Sequence, residues 1–286
     1  MAAYTRHNIQ GVSRHLKHNT REFPNSKKIS NRDIDFSRTS NNKVLHPEDR
    51  GIDVRDSSQS LKYYHERMKH VYRMNRSDTI CTGEWCITAP KELPDEYILP
   101  FFKTTYEFLN SEYGSDTDNM SNNCIQCILH YDEGFSYLGK QYGRPHMHYT
   151  FIKVKKIDNK EEYKKKLEAI QEKYSGNKAY LRKALKRLNK SKKYKYPEKL
   201  DFQSLDVEYL STFHDRFQAW INNWIKEGIE KGELPEDFSC RVKTEETQGK
   251  NQTVSQLKNH TREFEQTYLQ EYENPLTVEY EEEYVW

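Results

Sequence analysis

The chain has 286 residues, and its 46 Lys/Arg nearly balance 44 Asp/Glu. Aromatic residues reach 13%, more than disordered chains carry, so a packed core is expected although the AVILMFWYC fraction is only 34%. No stretch approaches the roughly 18 apolar residues of a membrane helix, Met1–Gln10 lacks the apolar run of a secretory signal, and Cys81, Cys86, Cys124, Cys127 and Cys240 read as reduced intracellular thiols rather than a disulfide framework.

In chain order, residues 1–60 are polar and rich in Asn, Ser, Arg and His, which predicts extended arms and short turns. Residues 61–76 carry Leu61, Tyr64, Met68, Val71 and Tyr72 at helical spacing. Thr79–Thr88 is β-branched and aromatic, hence a strand, and Glu96–Tyr113 reads as an amphipathic helix ending at Gly114. Cys124–Tyr131 and His146–Val154 are the two clearest strands, joined by a glycine-rich hairpin loop. Asn159–Lys195 predicts one or two basic helices. Phe202–Lys231 predicts a further helix pair whose Phe213, Phe217, Trp220, Trp224 and Ile225 belong in the core. Strands and helices in this mixed order indicate an α+β domain with a central antiparallel sheet flanked by helices.

The charge is unevenly spread. Lys153–Lys199 holds 18 Lys/Arg against 6 Asp/Glu, a local charge of +12, whereas Glu263–Trp286 holds eight Glu and no Lys, Arg or Asp. Such opposed blocks suit a nucleic-acid surface and an acidic tail that competes for it.

The chemistry concentrates in His130, His146 and His148. Residues i and i+2 of a strand share a face, so His146 and His148 project together. His130 lies on the expected antiparallel partner, where cross-strand neighbours come within about 5.5 Å. Three imidazoles from adjacent strands can converge on one divalent cation, and the neighbouring Asp132 and Glu133 could orient them. An isolated His-x-His would read as a chance surface pair; the third histidine and the two carboxylates argue against that.

His130-Tyr-Asp132-Glu133 followed by Pro145-His146-Met-His148 resembles the HxDE…PHxH signature of the Mob/Pre (MobV-type) plasmid relaxases, which are HUH single-strand endonucleases. The resemblance extends to KHNTREF (Lys17–Phe23), SNRDIDFSRTSNN (Ser30–Asn42), GEWCITAPKEL (Gly83–Leu93), the Phe101–Gly114 spacing and TVSQLK (Thr253–Lys258). This chain departs from the family pattern in placing eleven residues, Gly134–Arg144, between the Asp-Glu and the Pro-His, where the family has two. The basic stretch of about 155–199 has no obvious counterpart in that pattern, and the long coiled-coil extension of many members is not expected here.

The resemblance implies an HUH-type nuclease domain over residues 1–264, with a basic helical insertion at about 155–199 and an acidic C-terminal tail at 265–286. It implies site- and strand-specific nicking and strand transfer on plasmid or mobile-element DNA in the bacterial cytoplasm, assisted by Mn²⁺ or Mg²⁺ on His130, His146 and His148. The carried-over nucleophile is His18, which keeps the 5′-phosphate covalently. Arg21 is placed to pair with the phosphate, Glu84 to accept or orient the proton of the nucleophile, and Glu133 to orient a ligand. Lys17, Asn19, Arg38, Asn42, Arg144, Arg182, Lys183, Lys186 and Arg187 are the expected DNA contacts. The expected partner is single-stranded or hairpin DNA at an origin of transfer or replication, and a monomer is favoured.

Three other readings compete. Tyr180-Leu-Arg-Lys183 has the YxxK spacing of rolling-circle replication initiators, which would make Tyr180 the nucleophile. The basic helices with their interleaved tyrosines would also suit a non-catalytic DNA-binding protein. The same histidines could serve a zinc hydrolase that uses water.

Overall fold

The polar N-terminal segment does not run as an extended arm. In the computed structural model, which describes residues 2–22, 34–45, 56–114, 123–133, 135–137, 140–142, 144–157, 159–191 and 196–242, it opens with strand β1 (Ala2–Asn8) and helix α1 (Ile9–Asn19). The Asn8 side chain caps that helix by accepting from Gly11 N at 3.0 Å. Ile9, Val12 and Leu16 give α1 one apolar stripe, with Val12 and Leu16 buried. The high Arg, His and Lys content masks this stripe in a composition reading.

A 3₁₀ turn (Phe36–Asn41) leads to β2 (Lys43–Val44), α2 (Ser57–Met68), β3 (Val71–Tyr72), β4 (Ile80–Thr88) and α3 (Asp95–Tyr113). The second half contains β5 (Cys124–His130), the small hairpin β6 (Phe135–Tyr137) and β7 (Lys140–Tyr142), β8 (His146–Phe151) and β9 (Val154–Lys156). Helices α4 (Asn159–Lys173) and α5 (Lys178–Lys190), β10 (Glu198–Leu200), and α6 (Val207–Ser211) with α7 (Phe213–Glu230) complete it. Two expectations shift here. The helix expected over 61–76 stops at Met68, because Val71 is buried and pairs with β10 in a second sheet ordered β3-β10-β9. The strand expected over His146–Val154 breaks after Phe151, and Val154 starts the strand that joins that same small sheet.

The main sheet is antiparallel throughout, in the order β1-β4-β8-β5-β2, and the α+β architecture is as the sequence indicates. Alternation divides its faces. Trp85, Ile87, Cys127, Leu129, Met147, Tyr149 and Phe151 belong to the large core with Phe101, Phe102 and Phe108 of α3 and Phe213 and Phe217 of α7. Trp85 stacks on Phe213 with centroids 3.7 Å apart, and each fully buried ring of this kind contributes about 1.5–3 kcal/mol. The opposite face carries Glu84, His130, His146, His148 and Thr150, all buried. Helix α1 and a smaller apolar cluster of Val12, Leu16, Tyr64 and Ile125 lie on that side. The Thr253–Lys258 motif and the 265–286 tail lie outside the described residues. No helix among the described residues is long and apolar enough to cross a membrane.

Candidate active site

The antiparallel register sets His130 opposite His146 and Ile128 opposite His148. The three rings come together with centroids 5.1 Å (130–146), 4.9 Å (130–148) and 5.1 Å (146–148) apart. One nitrogen from each lies within 4.8 Å of the others. Every ring has its other nitrogen engaged. His130 Nε2 donates to the Asn19 carbonyl at 2.8 Å, His148 Nδ1 to Glu84 Oε1 at 2.8 Å, and His146 Nδ1 to the Arg144 carbonyl at 3.3 Å. These partners assign the tautomers, so the remaining lone pairs turn toward one another. His130 Nδ1 and His146 Nε2 are 3.3 Å apart, the spacing of two nitrogens that share a cation at about 2.1 Å. Burial, reinforced by the neighbouring His148 and Arg21, keeps His130 well below the usual imidazole pKa.

Helix α1 lies beside this cluster. The His18 ring is 6.3 Å from that of His148, edge-on at 80°. Burial first, and then His148 and Arg21, push His18 down to about 4 against the opposing pull of Glu133 and Glu84, so it is a neutral imidazole at physiological pH. Glu84 is buried beneath both histidine sets. Its Oε1 takes His148, while Oε2 takes His15 Nε2, Asn19 Nδ2 at 3.1 Å and Thr150 Oγ1 at 3.2 Å. Burial alone would raise the Glu84 pKa; His15 and His148 outweigh it and hold the carboxylate well below its ordinary range. His7, His15 and Glu84 also bring ligand-type atoms within 4.8 Å, and His7 stacks on His15 at 3.9 Å. The direct His15–Glu84 contact makes this a hydrogen-bonded network.

A family model for the plasmid recombination enzyme, Mob_Pre, matches residues 1–203. The chain belongs to that family. A plasmid recombination enzyme type 1 from Staphylococcus aureus is 30% identical over 155 residues, 51% of this chain and 31% of the relative, so the match spans about a third of that protein's length. Two Mn-bound crystal structures of the MobM relaxase domain with plasmid oriT DNA, at pH 5.5 and pH 6.8, superpose with TM-scores of 0.53 and 0.54 at 18% identity. They cover 91% of this chain and 98% and 97% of theirs, a likeness of fold.

Several motif residues of this Mob_Pre chain are not where a reading of DNA contacts puts them. Arg21 is buried, and its guanidinium is occupied by Asp132, through Nε–Oδ2 at 3.0 Å and Nη2–Oδ1 at 2.7 Å, and by Glu133 Oε1 at 2.9 Å, rather than turned out to a phosphate. Asn19 is 1% exposed and serves His130 and Glu84. Asn42 is used at both ends, donating to Asp132 Oδ2 at 2.7 Å and accepting from Tyr131 N at 2.8 Å. Arg144 is tied to the carbonyls of Pro90 and Lys91. Asp132 orients no ligand; it gathers Arg21, Thr39 and Asn42. Glu133 Oε1 lies 3.6 Å from His146 Nε2. Lys17 is exposed and Arg38 half-buried on the 3₁₀ turn, whereas Arg182, Lys183, Lys186 and Arg187 are all exposed on α5. Tyr180 stands on the same helix, 61% exposed. His15 and His7 were not apparent from the sequence; the spacing of His15, His18 and Asn19 on one helix face was the available signal.

Proposed function

We propose that this chain is a relaxase that nicks one strand of plasmid or mobile-element DNA and holds the 5′-phosphate covalently on His18. The observation that carries it is the convergence of three buried imidazole lone pairs beside a neutral His18 ring. The donor set fits a divalent cation, Mn²⁺ or Mg²⁺, held by His130, His146 and His148, and the Mn-bound relatives support that choice. When bound there, the cation supplies Lewis-acid polarisation of the scissile phosphate.

His18 supplies the attacking nitrogen. Its lone pair forms the N–P bond, the P–O3′ bond breaks, and the leaving strand departs as a 3′-hydroxyl. The proton released by the second ring nitrogen balances the one taken by the 3′-oxygen. Because the phosphoramidate conserves the bond energy, the reverse step rejoins the strand. Glu84 acts from beneath, holding His148. Glu133 holds Arg21 and faces His146. Arg21 fixes the end of α1, its backbone N–H donating to the His18 carbonyl at 3.2 Å.

The substrate we infer is single-stranded or hairpin DNA at an origin of transfer or replication, with Lys17 and Arg38 beside the site and Arg182, Lys183, Lys186 and Arg187 along the flanking DNA. The nuclease domain is taken to span 1–264 and the acidic tail 265–286. The test is nicking of a supercoiled origin plasmid with Mn²⁺. The wild type should convert it to the open circle, while His18→Ala and chelated protein should not. Nicking that survives both would overturn the reading.

A further inference from the structure

Two of the three cation-facing histidines lean on α1, the helix that carries His18. His130 donates to the Asn19 carbonyl directly, at 2.8 Å. His148 is reached through Glu84, whose other oxygen is held by His15 Nε2 and by Asn19 Nδ2 at 3.1 Å. His15 is itself fixed: His7 stacks on it at 3.9 Å and 22°, and His7 Nε2 lies 3.3 Å from Thr5 Oγ1. Thus β1, α1, β4 and β8 are joined by one side-chain chain, Thr5–His7–His15–Glu84–His148, that ends at the proposed cation site.

We propose that His15 is a positioning residue for the cation site: through Glu84 it fixes the ring of His148 with Nε2 presented to the triad, so that cation binding and the placement of the His18 helix are coupled. The inference rests on the triad holding a divalent cation. A carboxylate gripped on one oxygen by a stacked imidazole cannot swing away from the other, so His148 keeps a single tautomer and rotamer. Loss of the group that holds a ligating histidine weakens metal binding about 10- to 100-fold in comparable sites, and His15 acts on that group one step further out, which sets its effect at the lower end.

The test is Mn²⁺ titration of the full chain without DNA, read by the electron paramagnetic resonance of free Mn²⁺. We expect His15→Ala to weaken binding about 10-fold. His15→Gln, whose amide N–H can still donate to Glu84, should recover much of the loss, and Arg14→Ala, at an exposed position of the same helix, should stay within about twofold of wild type. Nitrogen NMR of the metal-free wild type should find His148 protonated on Nδ1 alone. Binding by His15→Ala within twofold of wild type would overturn the inference and leave the triad reading intact. Wild-type binding no tighter than that of His146→Ala would overturn both. Should His15→Ala fail to fold, the glutamine variant and the wild-type His148 tautomer decide, and a ring protonated on Nε2 would overturn the proposal.

Discussion

Arg21 meets Asp132 through two parallel hydrogen bonds, 3.0 Å and 2.7 Å long, although its own backbone sits in the left-handed region at φ 61°. The conformation ends α1. Arg21 N donates to the His18 carbonyl and Glu22 N to the Lys17 carbonyl, the pattern in which glycine ordinarily occupies the left-handed position. An L side chain there costs about 1–2 kcal/mol. The strain is offset by the two charge-assisted bonds between side chains that are 2% and 0% exposed, where Asp132 also takes Thr39 and Asn42 and so has its buried charge satisfied. One carboxylate therefore ties the His18 helix, the 3₁₀ turn and the end of β5 together.

Breaking this pair leaves a buried charge, so Arg21→Ala and Asp132→Ala should each lower unfolding free energy by about 3–5 kcal/mol in urea titrations. Arg21→Gly loses the same ion pair but relieves the backbone, and should come out about 1 kcal/mol more stable than Arg21→Ala. Equal losses for the two would refute the strain argument.

Alanine at His130, His146 or His148 should each abolish measurable Mn²⁺ binding by calorimetry while far-ultraviolet circular dichroism stays as in wild type. Retained stoichiometric binding in any one of them would remove that ring from the donor set.

Acid should destabilise the metal-free protein by a predictable route. His15 and His18 are pushed down to about 3 and about 4 from 6.5, so above pH 6.5 neither the folded nor the unfolded state binds their protons. As the pH falls below 6.5 the unfolded chain takes up protons that the folded one refuses, and stability declines until the folded pKa values are passed. Tm measured with chelator present should therefore drop between pH 6.5 and 4, and His15→Gln should flatten the slope. A Tm that rises over that interval would contradict the burial of these rings.

If α5 follows a DNA backbone, joint replacement of the exposed Arg182, Lys183, Lys186 and Arg187 by alanine should reduce the slope of log affinity against log salt by about 3. Fluorescence anisotropy between 50 and 200 mM salt reads this out (roughly the range over which phosphate contacts dominate). An unchanged slope would place the DNA elsewhere. Tyr180→Phe should retain covalent attachment, since that ring belongs to the exposed helix.

The strands that carry the triad were legible because local pattern is enough for them. Ile80–Thr88 and His146–Phe151 are rich in β-branched and aromatic residues, Cys124–His130 is a short, mostly apolar run with two isoleucines, and period two alone sets His146 and His148 on one face. The α1 helix was not, since its stripe of Ile9, Val12 and Leu16 is diluted by six polar or charged neighbours between Gln10 and His18. Arg21 reads as a partner of the scissile phosphate, and Asn19 and Asn42 as DNA contacts, because polar motif residues resemble ligand donors. Their partners lie up to 111 positions away, a pairing that only the folded sheet reveals. Likewise Val71 and Val154 look like continuations of their neighbours until a second sheet claims them.

The most direct test of the central claim incubates the full chain with Mn²⁺ and origin DNA, isolates any protein–oligonucleotide adduct and maps it by mass spectrometry. One adduct is expected, on His18, hydrolysed by mild acid as a phosphoramidate should be. An acid-stable adduct on Tyr180, or turnover of DNA with no adduct at all, would contradict it.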